Sequence, residues 1–181
     1  HLDMFATVMT VHNLAYQGLF PSATLPEVSL PWELFNPEQL EFWGKVNFLK
    51  AGLVFADRIT TVSPRYAREI LTDGMGCGLQ GVLRKRADAL TGILNGVDYG
   101  EWSPEADPHL PARFSADDLS GKNECRAALL RDFGLDEPGG PVFGVVGRLT
   151  EQKGYRLFAD VIPGLVEAGG AVVILGAGDR D

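Results

Sequence analysis

The sequence predicts an α/β protein built on parallel sheets with helices on both faces. Three observations carry this. Short apolar runs of strand length alternate with segments of helical pattern along the whole chain. Every connection between successive strands is long enough for a crossover. A polar, proline-containing stretch at residues 103–120 divides the alternation into two βα units. Two domains are therefore expected, residues 1–98 and residues 99–181.

Residues 5–11 (Phe-Ala-Thr-Val-Met-Thr-Val) have the composition and length of a buried strand, which ends at His12-Asn13. Asn36-Pro37-Glu38-Gln39 predicts a helix start, with Asn as N-cap, Pro in the first turn and Gln at the third position. Phe42, Val46, Phe48, Leu49 and Leu53 continue the helical spacing, as one or two helices, to about Ala56. Residues 57–62 read as a short strand, and Ser63-Pro64 caps a helix running to about Leu71. A loop leads to a helix over residues 82–87 and a strand over residues 90–94, ending at Asn95-Gly96-Val97-Asp98.

Beyond the polar stretch, a helix over residues 121–133 precedes the apolar strand Val142-Phe143-Gly144-Val145-Val146. The helix after Gly154 contains Pro163, which should kink or split it. Gly169-Gly170 stops that helix, and residues 171–175 form the next strand.

Composition narrows the function. With 181 residues, 45% of them hydrophobic, the chain can bury a real core. A net charge of −8 without a basic stripe argues against general binding to nucleic acid or to acidic membranes. Cys77 and Cys125 have neither disulfide-framework nor metal spacing, which points to the reducing cytoplasm. His1, His12 and His109 form no ligand cluster, so no metal site and no cofactor are expected. No apolar run approaches the ~18 residues of a membrane span, and no signal peptide is visible. Both ends read as cut, and an internal segment of a larger protein is expected.

An acidic chain can still hold an anion where positive charge is local. Gly147-Arg148-Leu149-Thr150-Glu151-Gln152-Lys153-Gly154 follows the Val142 strand directly. Two cations on a glycine-flanked turn between strand and helix make a compact positive socket for a diphosphate, because N–H groups at a helix start add their own partial charge. His12 stands at the carboxyl end of a strand, where open α/β sheets place ligands. Asn13, Tyr16, Gln17 and Phe20 beside it supply the polar groups and aromatic faces that suit a sugar. Asn95 also ends a strand, although a type I′ turn explains Asn-Gly equally well. Lys122 near a helix start reads as a site cation or as a surface charge.

Other patterns favour plainer readings. Gly76-Cys77-Gly78-Leu79-Gln80-Gly81 matches GxGxxG but follows a helix, not the strand a dinucleotide site requires, so it is a loop joining helices. Asp179-Arg180-Asp181 matches DxD and reads as a solvated loop. Trp32, Phe42, Trp43 and Phe48 stand at helical spacing and are expected in the core.

Several stretches together resemble bacterial glycogen synthase and plant starch synthase. They are Val11-His12-Asn13-Leu14-Ala15-Tyr16-Gln17-Gly18, Asn47-Phe48-Leu49-Lys50-Ala51-Gly52, Thr61-Val62-Ser63-Pro64, Gly78-Leu79, Gly92-Ile93-Leu94-Asn95-Gly96-Val97-Asp98, Gly147-Arg148-Leu149 with Gln152-Lys153-Gly154, and Leu175-Gly176-Ala177-Gly178-Asp179. The resemblance implies the GT-B fold, two Rossmann-like parallel-sheet domains, each incomplete here, with a cleft between them. It implies retaining, metal-independent transfer of glucose from ADP-glucose to the non-reducing end of an α-1,4-glucan. Arg148 and Lys153 resemble the pair that grips the donor's distal phosphate, with Gly147 beside them. His12 is similar to the histidine beside the transferred glucose, and Asn95 to an asparagine at the interdomain cleft. Lys122 is similar to a lysine of the nucleotide-binding domain. The family's Lys-x-Gly-Gly and Glu-Pro-x-Gly segments would fall outside these residues, so the chain alone is expected to be inactive. A UDP-sugar transferase of the same architecture and a non-catalytic glucan-binding fragment are the alternative readings.

Overall fold

The computed structural model of the chain describes residues 5–178 and divides it into two compact units, His1–Gly96 and Val97–Asp181. The first unit is organised on a parallel sheet. β1 (Val8–Val11) pairs with β5 (Arg58–Thr61), which pairs in turn with β6 (Leu90–Gly92). β1 is shorter than the expected strand because Thr7 turns its backbone N–H and hydroxyl onto the carboxylate of Asp57, at 2.6 and 2.8 Å. These bonds hold the Asp57 carboxyl below the usual carboxylate range. Between the strands lie α2 (Phe48–Phe55), α3 (Pro64–Glu69) and α4 (Gln80–Lys85).

Local chemistry explains where these helices start and stop. Ser63 accepts the Tyr66 N–H at 2.9 Å and Pro64 stands in the first turn, so α3 begins as predicted. The turn Gly76–Leu79 joins α3 to α4 and closes on a Leu79 N–H to Gly76 carbonyl bond. Arg86 donates to the carbonyls of Leu53, Val54 and Ala56, the unsatisfied C-terminal end of α2. Val11, Leu14, Leu53, Ile59, Ile70, Leu79 and Leu83 fuse these elements into one apolar core.

Residues 36–47 depart from the predicted helix. Asn36 makes only a local turn: its side chain accepts the Glu38 N–H at 3.0 Å and its carbonyl accepts Gln39 and Glu41. The chain then forms a tight hairpin, β3 (Glu41–Phe42) and β4 (Lys45–Asn47), and β4 also pairs with β2 (Leu19–Pro21). This antiparallel three-stranded sheet, with the short helix α1 (Thr24–Glu27) beside it, surrounds a second core of Leu25, Leu40 and Val46. The hairpin turn is Trp43-Gly44, both at positive φ (53° and 78°), the type I′ geometry that matches strand twist. A non-glycine residue in that region costs about 1–3 kcal/mol. Trp32 and Trp43 are exposed rather than core, whereas Phe42 and Phe48 do pack against the two clusters.

The second unit holds α5 (Lys122–Asp132) and a parallel pair, β7 (Val142–Val146) and β8 (Ala171–Leu175), connected by α6 (Tyr155–Glu167). Residues 103–120 carry no regular helix or strand. Pro163 does not split α6. It lies on an exposed face, where water can take the Ala159 carbonyl that proline leaves unpaired. Asn95-Gly96 is not a turn: the chain runs on past β6, with Ile93 donating to the Thr61 carbonyl, and Gly96 is not at positive φ. Asp179-Arg180-Asp181 lies outside the described residues. Among the described residues no helix is long and apolar enough to cross a membrane.

Among the described residues Lys50 is the charged group most deeply placed, 5% exposed, with its ammonium donating to the carbonyls of Pro37 and Glu41, both at 2.6 Å. Burial lowers its pKa from the ordinary 10.5, against opposing pulls from Glu41 and Glu38. The unfolded chain thus binds more protons as pH rises toward 10.5, so stability contributed at this site increases over that interval. The stability difference between the protein and its Lys50→Met variant is expected to move in favour of the wild type from pH 8 to 10.5, read by denaturant melts across that range.

Candidate functional site

The carboxyl ends of the parallel strands carry the sequence-predicted residues. β1, β5 and β6 run side by side, so His12, just past β1, and Asn95, three residues past β6, leave the same edge of the sheet. One strand separates them, a spacing of about 10 Å between strand axes. His12 is exposed, and Tyr16 is 67% exposed. Asn13 bends the loop by accepting the Ala15 N–H at 3.0 Å, with Tyr16 N–H closing on the Asn13 carbonyl.

Gln17 is not a sugar-facing group but a buried support. Its amide donates to the Cys77 carbonyl at 2.8 Å, and its side-chain oxygen accepts from the Asn47 amide at 2.7 Å. Asn47, fully buried, spends its own oxygen on the Lys50 N–H at 2.8 Å, capping α2. The backbone adds Phe48 N–H to the Gly18 carbonyl and Leu49 N–H to the Gln17 carbonyl. The Tyr66 hydroxyl accepts the Leu14 N–H at 3.0 Å. The loop that presents His12 is therefore anchored on α2, on α3 and on the Gly76–Leu79 turn. The sequence assigns no supporting role to Asn47, which it shows only within a family-like stretch, or to Tyr66. The signal available for Asn47 was an asparagine just before an apolar helix.

In the second unit, Gly147, Arg148 and Lys153 line one cleft of about 370 Å³ with Tyr155 and Phe158. Both cations are exposed, and among the described residues neither is in an ion pair. Lys153 ends the 3-10 turn Glu151–Lys153, and Gly154 starts α6 in the left-handed region at φ 70°, a conformation that favours glycine. The cations thus precede the first free N–H groups of a 13-residue helix. Lys122, the first residue of α5, holds its ammonium 4.4 Å over the Phe114 ring and lines another cleft with Cys125 and Arg126. That cleft shares no lining residue with the one holding Arg148.

The Arg148 loop is held by the segment after β8. Gly147 N–H donates to the Leu175 carbonyl at 3.1 Å and Leu149 N–H to the Ala177 carbonyl at 3.0 Å, and Leu149 bridges Gly178 in parallel. The two backbones approach so closely that a Cβ on Gly176 would lie 2.1 Å from the Gly147 carbonyl oxygen.

Parallel strands in two units, with loops at their carboxyl ends, define the Rossmann-like α/β architecture called GT-B. Residues 1–85 match the family model of the starch synthase catalytic domain. The chain is 56% identical over 174 residues to a glycogen synthase of Anaeromyxobacter dehalogenans, covering 96% of this chain and 36% of that protein. It is also 56% identical over 181 residues to a glycogen synthase of Thioalkalivibrio sulfidiphilus, covering 99% of this chain and 38% of the relative. A solved structure of the catalytic domain of Arabidopsis thaliana starch synthase IV, bound to ADP and acarbose, superposes with a TM-score of 0.90 at 37% identity, over 98% of this chain and 37% of that one. The chain belongs to the glycogen synthase and starch synthase family, and it spans somewhat over a third of the length of these relatives.

Gly176→Ala must push the Arg148 loop away, because the atom it meets is backbone. Gly164, inside α6, has nothing within 4 Å of an added Cβ, so Gly164→Ala is the matched control. Thermal melts are expected to show Gly176→Ala destabilised by about 1–3 kcal/mol, the range of overpacked positions. Gly164→Ala is expected to be neutral or stabilising by about 0.5–1 kcal/mol.

Proposed function

We propose that this chain is part of a glucosyltransferase that moves glucose from ADP-glucose to the non-reducing end of an α-1,4-glucan, with retention at the anomeric carbon and without a metal. The observation that carries the reading is the pairing of Arg148 and Lys153 on one cleft at the start of α6. Supporting it, the Arabidopsis starch synthase IV structure that matches 98% of the chain is bound to ADP and acarbose. A cytoplasmic setting belongs to the same proposal, supported by the unpaired Cys77 and Cys125.

The chemistry follows from where charge develops. As the bond from anomeric carbon to phosphate oxygen breaks, negative charge gathers on the departing ADP. Fixed cations stabilise it without reorganising at the moment of reaction. Arg148 and Lys153 fill that role, and the α6 N–H groups add to it. The sugar becomes oxocarbenium-like while the glucan 4-hydroxyl attacks from the face the phosphate is leaving. The new bond joins that hydroxyl oxygen to the anomeric carbon, and its proton passes to the departing phosphate. His12, Asn13, Tyr16 and Asn95, on the same edge of the first sheet, orient the sugar. Lys122 serves as an auxiliary substrate-binding cation.

One charge-assisted hydrogen bond contributes about 1.5–3 kcal/mol. Lys153→Ala in the full-length protein is therefore expected to lower turnover with ADP-glucose about ten- to a hundred-fold. Radiolabelled glucose incorporation into glycogen, run in parallel with UDP-glucose, checks this. Near-normal turnover of the variant defeats the phosphate clamp, and a preference for UDP-glucose defeats the choice of donor.

A further inference from the structure

The β3–β4 hairpin ends on a tryptophan that neither its turn nor the core explains. Type I′ turns favour Asn, Asp or Gly at the first central position, because φ is positive there. Trp43 occupies that position and remains 86% exposed. A residue that breaks both the turn preference and the burial preference, and gains only one edge contact in return, marks a surface kept for binding.

The ring is held, not loose. Phe42 meets it edge-on, with centroids 6.2 Å apart and planes at 71°. Phe42 itself rests on the Gly76–Leu79 turn, its ring tip 2.8 Å from where a Cβ on Gly78 would stand. Glu41 stiffens the tip by accepting the Gly44 N–H at 2.7 Å. Phe42 also lines the adjoining cleft, which carries the Glu38–Lys85 ion pair, and Lys45 stands opposite Phe42 in the hairpin register. A flat, exposed indole face complements the C–H face of a pyranose, and the cleft beyond Phe42, with its ion pair, offers donors and acceptors to hydroxyls of the same glucan. One exposed ring is far short of the roughly 800 Å² per partner that a stable protein contact needs.

We infer that Trp43 is a stacking platform for a glucose unit of an α-1,4-glucan, separate from the His12 loop. It stands four residues along the hairpin from Asn47, roughly 13 Å at strand rise. The platform rests on the proposed function for the identity of the sugar. It anchors long glucans, and short acceptors do not need it.

Trp43→Asn tests this, because Asn-Gly is the favoured pair for this turn and the variant should melt at or above the wild-type temperature. In the full-length protein, Trp43→Asn is expected to weaken retention in glycogen-containing native gels about tenfold. Fluorescence changes on adding maltoheptaose should be lost, and turnover on maltotriose should stay within about twofold. A folded Trp43→Asn protein that binds glycogen like the wild type overturns the platform, including the case where other parts of the chain cover the ring. Binding is read without donor, so the two ideas fail separately. Trp43-dependent glycogen binding without transfer from ADP-glucose sinks the reaction and leaves the platform, whereas transfer with unchanged glycogen affinity does the reverse.

Discussion

The first unit depends on the carboxamide of Asn47. Its oxygen closes the start of α2 and its nitrogen holds Gln17, which in turn holds the Cys77 carbonyl. Three segments distant in sequence thus meet through one buried relay in which every polar atom has a partner. A buried hydrogen-bonded group contributes only about 1 kcal/mol net, but leaving its partner unsatisfied costs about 1–3 kcal/mol. The relay therefore acts less as a source of stability than as a specification of register. An apolar residue at Asn47 would strand Gln17, and the His12 loop would lose one of its fixed points.

The second unit solves the same problem with backbone alone. The parallel ladder of β7 and β8 runs on past both strands, so the loop bearing Arg148 is held by main-chain bonds to Leu175 and Ala177. Close approach at Gly176 and Gly178 makes this possible. A cation on a floating loop would lose its advantage to water, whereas one on a ladder extension is placed before substrate arrives. This is how a chain of net charge −8 can still present a local positive site.

What the sequence showed and what it hid divide along physical lines. The apolar strands, the Ser63-Pro64 cap and the Arg148–Lys153 loop were legible because each is local: composition, spacing and cap chemistry within a few residues fix them. The stretch from Asn36 to Asn47 was not. Phe42, Val46, Leu49 and Leu53 fit helical spacing, yet Phe42 and Val46 lie on strands, and the deciding contact is with β2, some 25 residues earlier. Nor does Trp43 announce a type I′ turn, because its residue type argues against one. The supports of the site, Asn47, Tyr66, Gly176 and Gly178, were hidden for the same reason: their partners are remote in sequence.

Those exceptions are not scattered. Trp43 and Gly44 form one positive-φ turn, Cys77 and Gly78 form another, and Phe42 packs between them on the Gly78 backbone. Each turn alone would relax: Cys77 and Trp43 are poor choices for their conformations. Together they hold each other, since Phe42 fixes the hairpin to the second turn and Gln17 fixes the second turn, through the Cys77 carbonyl, to the His12 loop. Local strain that persists requires surroundings that over-determine it. Here the surroundings are a chain of contacts running from the exposed ring of Trp43, through Phe42, Gly78 and Gln17, to the loop carrying His12, so the two places where a sugar is proposed to sit share one rigid support.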